Sequence, residues 1–213
     1  MTRERDALLW GEGQLWQPGG PVSLTELTLV GKERAVLVLE DPGAFFELAR
    51  GDTEAGGALR VRGARLGTLE GRAMGAVAAR DFEPVEGLTV AEHLVLAVRL
   101  ARRVGSAPVP SFADVLRASG LEGRDGAVAV DLSPRARARL ELAMALVRPA
   151  VARLLWVEDA DVVPEVFDRV LRESIGGAVL VVGRRPVEVS GAVRFAVQGS
   201  RLTRATRPGR GSS

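Results

Sequence analysis

The chain of 213 residues has no cysteine, no tyrosine, one histidine and one lysine, Lys32. Without cysteine no disulfide can form, which fits a cytosolic location. No apolar run approaches the roughly 18 residues that a membrane-spanning helix needs, so direct membrane insertion is not expected. Residues 1–6 are mixed in charge and no small-residue cleavage site follows them, which argues against a secretory signal. We therefore expect a cytoplasmic protein.

The charge balance gives little support to nucleic-acid binding. The formal net charge is only +2, although the sequence pI is about 10.2. Nearly all cations are arginine, and neither tyrosine nor cysteine is present to titrate, so the pI overstates the basicity. The excess of arginine, alanine, glycine and valine is typical of a GC-rich genome. We expect no nucleic-acid partner.

Apolar periodicity predicts a single α/β domain over residues 1–203. Short runs divided by Gly and Pro turns up to residue 30 predict an antiparallel β lobe. Continuous apolar runs predict buried strands of a largely parallel central sheet at 35–39, 153–157 and 178–182. Helical spacing predicts helices at 44–50, 90–103, 112–119, 134–147 and 164–174. Hairpins are predicted at 58–69 and 193–203, a short strand at 76–79, and a disordered tail at 204–213.

Five stretches occur in the order found in one known family. Residues 87–94 are similar to the segment after the glutamine loop of ATP-binding cassette (ABC) nucleotide-binding domains. Residues 132–133 and 139–146 resemble the signature motif and the helix behind it, and residues 153–160 resemble the Walker B strand. Residues 178–184 resemble the strand before the switch histidine, and 199–202 the closing hairpin. The resemblance implies a P-loop NTPase-like cassette with an N-terminal antiparallel lobe and a helical subdomain inserted at about 88–150.

The phosphate-binding position of this family falls on Glu40, Asp41, Pro42, Gly43 and Ala44. A phosphate-binding loop needs converging backbone N–H groups, a lysine and a hydroxyl. This stretch is shorter, has no lysine or hydroxyl, and carries two acids that would repel a triphosphate. Lys32 precedes the strand and is expected at the opposite end of the sheet. The sequence predicts a tight strand-to-helix turn that does not hold nucleotide.

The Walker B position carries Glu158 and Asp159, which exchanges the two acids that the family uses for Mg²⁺ and the attacking water. Each carboxylate changes its reach by one methylene, and geometry of this kind matters for catalysis. Two outcomes remain open: the acids face solvent, or they keep weak metal affinity. We expect no turnover and name no metal site.

The remaining functional positions also depart from the family. At the signature, Ser133 is followed by Pro134 and Arg135, so Ser133 suits a helix N-cap, while Arg135 points toward the site of an opposing cassette. Arg80 stands for the glutamine, and Arg184 for the switch histidine, where it cannot act as a general base. In the same resemblance, Trp16 lies near the position of the aromatic residue that stacks on adenine, although a tryptophan in a hairpin usually packs. The single histidine, His93, is expected to be packed or on the surface.

The resemblance implies a non-hydrolysing cassette subunit, structural or regulatory in a bacterial ABC membrane transport complex. Its expected partners are a membrane permease and a second cassette, as homodimer or heterodimer, and its location is peripheral at the inner face of the membrane. No cofactor is expected. Two alternatives stay open: a Mg-ATP-binding subunit with residual or trans-contributed activity, and an interaction module without a membrane partner.

Overall fold

A computed structural model describes residues 7–51, 56–101 and 109–205 of the chain. Within these ranges the strands are β1 (Ala7–Glu12), β2 (Gln14–Gln17), β3 (Gly20–Ser23), β4 (Thr28–Val30), β5 (Arg34–Val38), β6 (Ala58–Val61), β7 (Ala64–Arg65), β8 (Gly75–Ala78), β9 (Ala152–Trp156), β10 (Ala178–Gly183), β11 (Val193–Gln198) and β12 (Arg201–Ala205). The helices are α1 (Pro42–Arg50), α2 (Leu69–Met74), α3 (Val90–Ala101), α4 (Phe112–Ala118), α5 (Pro134–Val147) and α6 (Pro164–Glu173). None of these helices is long and apolar enough to cross a bilayer.

The main sheet has eight strands in the order β2-β3-β12-β11-β5-β10-β9-β8. Its central pairs, β5 with β10, β10 with β9 and β9 with β8, are parallel. All six residues of β10 are buried, as expected of a strand covered on both faces. The prediction of a largely parallel core built on continuous apolar runs is confirmed.

Alternating residues of the parallel strands face two separate layers of the core. Val36, Val181 and Leu155 pack toward the helical side, with α3 to α6. Their neighbours in sequence point the other way, toward a layer that holds Phe45 and Phe46 of α1. Because successive side chains of a strand point to opposite faces, a run of apolar residues serves both layers at once.

The antiparallel lobe is smaller than the sequence suggests. Its strand order is β4-β1-β6-β7, and every pair is antiparallel. The β2–β3 hairpin instead extends the edge of the main sheet. Leu24 and Leu27 are buried in a turn before β4, and Leu69 begins helix α2, so the predicted strand content over 24–30 and 65–69 was partly wrong. Here tertiary burial, and not alternation, set the apolar positions.

In the chain, helices α3, α4 and α5 come between strands β8 and β9, which are neighbours in the sheet. This is the arrangement predicted for an inserted helical segment. Helix α5 begins as expected: the Ser133 hydroxyl accepts from the Ala136 amide at 3.3 Å, and Pro134 takes the first helical position. Buried residues of α5 join the core layer that also holds β8 and β9, so this helix belongs to the core as well as to the insertion.

The C-terminal strand β12 extends through Ala205, two residues beyond the predicted end of the domain at 203. In β12, Arg204 pairs with Glu33 in the turn before β5. The rest of the predicted tail, residues 206–213, and most of the predicted loop at 106–110 lie outside the described residues.

Candidate functional site

Four of the positions that the sequence singled out lie at the carboxyl ends of the parallel strands. We call this end of the main sheet the sheet edge. Strands β5, β8, β9 and β10 are parallel within the sheet, so their carboxyl ends share an edge. Asp41, Arg80, Glu158 and Arg184 each follow one of these strands within a few residues. In open α/β sheets this edge is where ligands bind. Lys32 precedes β5 and lies at the opposite end, as predicted.

At the turn after β5, Asp41 caps helix α1 with its own carboxylate. Asp41 is the N-cap, and its Oδ1 accepts from the Gly43 amide at 2.9 Å. Pro42 occupies the first turn and has no N–H to offer. Glu40 is exposed and Ala44 lies inside the helix, which therefore begins two residues earlier than predicted. The predicted tight turn is present, and a carboxylate already sits at the positive end of the helix dipole.

A residue that the sequence did not indicate holds this turn in place. The side-chain amide of Gln17, at the end of β2, bonds the backbone of Asp41 in both directions. Asp41 N donates to Gln17 Oε1 at 2.9 Å, and Gln17 Nε2 donates to Asp41 O at 2.9 Å. A side-chain amide that pairs with a peptide group from 24 residues away leaves no local sequence signal.

Trp156, the last residue of β9, packs beside the turn. Its ring stacks on Phe46 of α1, with centroids 5.6 Å apart and 15° between the planes. A Cβ added at Gly43 would lie 3.7 Å from this indole, and the Arg80 guanidinium carbon lies 5.9 Å from the ring centroid. An aromatic layer thus closes the floor of the turn between α1 and β9.

Glu158 does not simply face solvent. It is partly buried, and its Oε1 accepts from Trp156 Nε1 at 2.9 Å. It also caps a short 3₁₀ turn, Asp159–Asp161, in which the Asp161 carboxylate accepts from the Glu158 amide at 3.2 Å. The solvent-facing interpretation of Glu158 was therefore wrong. The Asp159 backbone belongs to this turn, while its side chain lies outside what the structure describes.

Asp161 is the charged centre of this edge, although no sequence pattern indicated it. Its side chain is 4% exposed and forms ion pairs with Arg80 and Arg135. The Arg135 Nε lies 3.5 Å from Asp161 Oδ1, and its Nη2 donates to the Ala160 carbonyl at 2.5 Å. The Arg135 guanidinium thus contacts its own chain while its side chain is 53% exposed, and its contact with an opposing cassette stays a prediction.

The backbone after β8 is held by a carboxylate from α5. Both Glu141 oxygens accept from successive amides, Ala79 N at 2.8 Å and Arg80 N at 2.6 Å. Burial raises the pKa of Glu141, and the backbone hydrogen bonds from Ala79, Arg80 and Phe82 oppose that rise. Arg80 adopts a left-handed φ of 70°, a conformation that is uncommon outside glycine and that these bonds stabilise.

Three further candidates take simpler roles. Arg184 is exposed after β10 and has no ion pair or hydrogen bond with the described residues. Trp16 is 58% exposed, so the expectation that it packs was wrong, and its stacking role stays a prediction. His93 is fully buried: its Nε2 accepts from Val85 N at 3.0 Å and its Nδ1 donates to Thr89 O at 2.8 Å. That agrees with a packed residue.

In the part of the chain described, no group of three or more histidine, aspartate or glutamate side chains is arranged to hold a metal ion. After β9, the carboxylates of Glu158 and Asp161 are each bonded to other groups of the chain. Weak metal affinity at Glu158 and Asp159, one of the two outcomes given above, stays a prediction.

Comparison with known proteins identifies the fold. No protein-family model and no curated protein matches the chain. A solved structure described as the ATP-binding subunit of an ABC transporter matches with a TM-score of 0.63 and 18% identity over 94% of this chain and 90% of that one. CbiO1 from Clostridium perfringens, described as part of the ABC transporter complex cbiONQ, matches with a TM-score of 0.57 and 13% identity over 93% and 87%. The chain has the fold of an ABC cassette, and the predicted fold class is confirmed.

Proposed function

We propose that this chain is a non-hydrolysing cassette subunit with a structural or regulatory role in a bacterial ABC membrane transport complex. The observation that carries the proposal is the cap of helix α1. The helix N-terminus that would cradle phosphates in this fold donates the Gly43 amide to the Asp41 carboxylate. A phosphate arriving there meets a fixed negative charge, one missing N–H at Pro42 and no lysine.

The other positions of the sheet edge support the same proposal. Arg80 and Arg135 share the buried Asp161, so neither is available to a phosphate without breaking an ion pair. The Glu158 carboxylate accepts from the Trp156 indole, which engages one of its two oxygens within the chain. The guanidinium of Arg184 offers donors and no acceptor, so it cannot replace a histidine as the general base of a switch residue. In this arrangement the edge serves as structure and not as a catalytic centre.

A groove beside this edge supports the proposed permease contact. A cavity of about 170 Å³ lies between β8 and the inserted helices, lined by the apolar Phe82, Ala97, Leu100 and Met144 and by the charged Glu141 and Arg148, among others. Leu100 is 70% exposed, and Val85, three residues after the lining residue Phe82, is 50% exposed. Exposed apolar side chains around a groove are typical of a docking site for a helix. We assign this groove to a cytoplasmic helix of the permease, and the sheet edge to a second cassette.

The first test is a titration of the purified chain with MgATP, followed by calorimetry and thermal unfolding. A ligand at a hundredfold excess over its Kd stabilises the native state by about 2.7 kcal/mol. For a protein of this size that corresponds to a rise in Tm of roughly 5–11 °C. We expect no shift at millimolar MgATP and no steady release of phosphate. Saturable binding that is lost in Glu158→Ala would instead support the nucleotide-binding alternative.

The second test concerns the partner. The chain is produced in its native host, membranes are collected by centrifugation, and the pellet is washed with high salt before extraction. The proposal expects the chain in the membrane fraction, and Leu100→Glu with Val85→Glu in the supernatant, because charges in the groove oppose apolar docking. A wild-type chain found only in the supernatant would support an interaction module without a membrane partner.

A further inference from the structure

A second cavity, which shares Val77, Glu141 and Arg148 with the groove described above, is lined by three arginines. It has a volume of about 250 Å³, and its lining includes Arg50, Arg72, Arg148, Asp81 and Glu141. The rest of the lining is apolar or glycine: Ala49, Leu66, Gly75, Val77 and Ala79. We call this cavity the arginine pocket. It lies away from Asp41, Glu158 and Arg135, none of which lines it.

The two acids of the arginine pocket are already engaged. Asp81 forms an ion pair with Arg50. Glu141 accepts from the Ala79 and Arg80 amides, and Arg50 also acts on it electrostatically. Arg50 is thus the cation that these carboxylates balance. The described lining residues include no further carboxylate that could balance the charges of Arg72 and Arg148.

Neither Arg72 nor Arg148 has a carboxylate partner among the described residues. Arg72 is exposed, and its Nη2 donates to the Arg50 carbonyl at 3.3 Å. Arg148 Nη2 donates to the Arg72 carbonyl at 2.6 Å, while its Nε is buried without an acceptor. Burial lowers the pKa of Arg148, and no charge of opposite sign opposes that effect. A desolvated guanidinium normally pairs with an anion, so this arrangement is incomplete as it stands.

The neighbouring buried arginine differs in this respect. Arg153 is 1% exposed, yet its guanidinium donates to the carbonyls of Ala145, Arg148, Ala150 and Gly176. Two of these carbonyls belong to the C-terminal end of α5, where a cation is favourable. Arg153 therefore has a complete structural role. It adds positive potential behind Arg148. Burial, and to a smaller extent the charge of Arg148, lowers the pKa of Arg153 to about 10.

We propose that the arginine pocket binds a small oxyanion, a phosphate group or a carboxylate, between Arg72 and Arg148. The planar guanidinium offers paired N–H donors that match oxyanion geometry. The volume is below the range of roughly 300–1,000 Å³ that small-molecule sites usually have, which favours an ion or a single anionic group over a nucleotide. The site does not depend on the function proposed for the sheet edge.

The test is a titration of the full chain with inorganic phosphate and, in a separate arm, with malonate, each compared with sodium chloride at equal ionic strength. Calorimetry and Tm report binding in wild type, Arg72→Gln, Arg148→Gln and Arg148→Lys. Arg117→Gln is the matched control, since it removes the same charge from an exposed pair with Glu122. We expect saturable binding in wild type and control, weakened at least about tenfold in both Gln variants and partly retained in Arg148→Lys.

The two arms distinguish the source of the anion. Tighter phosphate binding assigns a phosphate ester, and tighter malonate binding assigns a carboxylate. Arg72→Gln alters an exposed side chain and keeps the test valid if Arg148→Gln does not fold. Binding that is equal in wild type and Arg72→Gln, or a response no larger than that of chloride, would overturn the proposal. A MgATP response at the sheet edge leaves this outcome unaffected, so the two proposals fail separately.

Discussion

Replacing Asp161 tests whether the charged centre of the sheet edge is a structural element. Its carboxylate is 4% exposed and faces Arg80 and Arg135. Asp161→Asn keeps the shape of the side chain and removes its charge, so two guanidiniums are left without a counter-charge. Breaking a buried ion pair by removing one partner costs about 3–5 kcal/mol. The Arg80 side chain is 25% exposed and that of Arg135 53%, so solvent screens both, and we expect a loss of about 2–3 kcal/mol.

The assay is equilibrium unfolding in urea, because guanidinium chloride would screen the ion pairs. Tryptophan fluorescence follows the transition, and Trp156 also reports locally because it lies next to Arg80. Thermal unfolding should show a fall in Tm of roughly 4–12 °C for a chain of this length. Arg80→Gln keeps the left-handed backbone strain and removes the ion pair together with the guanidinium contact to Trp156, so it serves as the partner variant.

A double-mutant cycle decides whether the effect belongs to the pair. We expect Asp161→Asn and Arg80→Gln together to destabilise the protein by at least about 1 kcal/mol less than the sum of the single changes. The exposed pair of Arg117 and Glu122 gives the control cycle, in which the single effects should add. If the changes at Asp161 and Arg80 also add within about 0.5 kcal/mol, the reasoning is refuted.

Two further predictions concern the loop that follows β8. Burial raises the pKa of Glu141 above its ordinary value of 4.5, so the folded chain binds more protons at this group than the unfolded chain does. The free energy of unfolding therefore falls as the pH rises from about 4.5 through the pKa of Glu141 in the folded protein. This component should be missing from the urea-unfolding pH profile of Glu141→Gln, and an unchanged profile would contradict the assignment. His93→Phe leaves the Val85 amide without its acceptor, which should cost about 1–3 kcal/mol and speed hydrogen exchange at Val85. Equal exchange in both proteins would count against a role of His93 in holding the loop.

The parts of the fold that sequence predicts well are those with local causes. Continuous apolar runs fix β5, β9 and β10, because each strand must serve two core layers. Ser133 and Pro134 fix the start of α5 through a cap and a preset φ. The turn at 40–44 was also predictable, since an acid followed by proline and glycine favours a helix start. In each case the deciding atoms lie within a few residues of one another.

The residues that sequence reasoning missed act over long separations. Asp161 meets Arg80 from 81 residues away, and Glu141 reaches the Arg80 amide from 61. Gln17 holds Asp41 across 24 residues. Such side chains look like ordinary surface polar residues until the fold brings them together. Trp16 shows the opposite error, since an aromatic residue in a hairpin suggested packing and the fold exposes it.

Several polar groups of the sheet edge satisfy one another within the chain. A triphosphate seated over α1 would have to displace the Asp41 cap, worth about 0.5–2 kcal/mol, while sitting near its charge. Reaching Arg80 or Arg135 would require breaking the pairs with Asp161, and Glu158 would have to leave the Trp156 indole. These costs arise in three separate turns and are carried by different residues. A single substitution toward the family pattern therefore leaves most of the free-energy cost of seating a triphosphate in place. For this reason we propose that this edge contacts another protein.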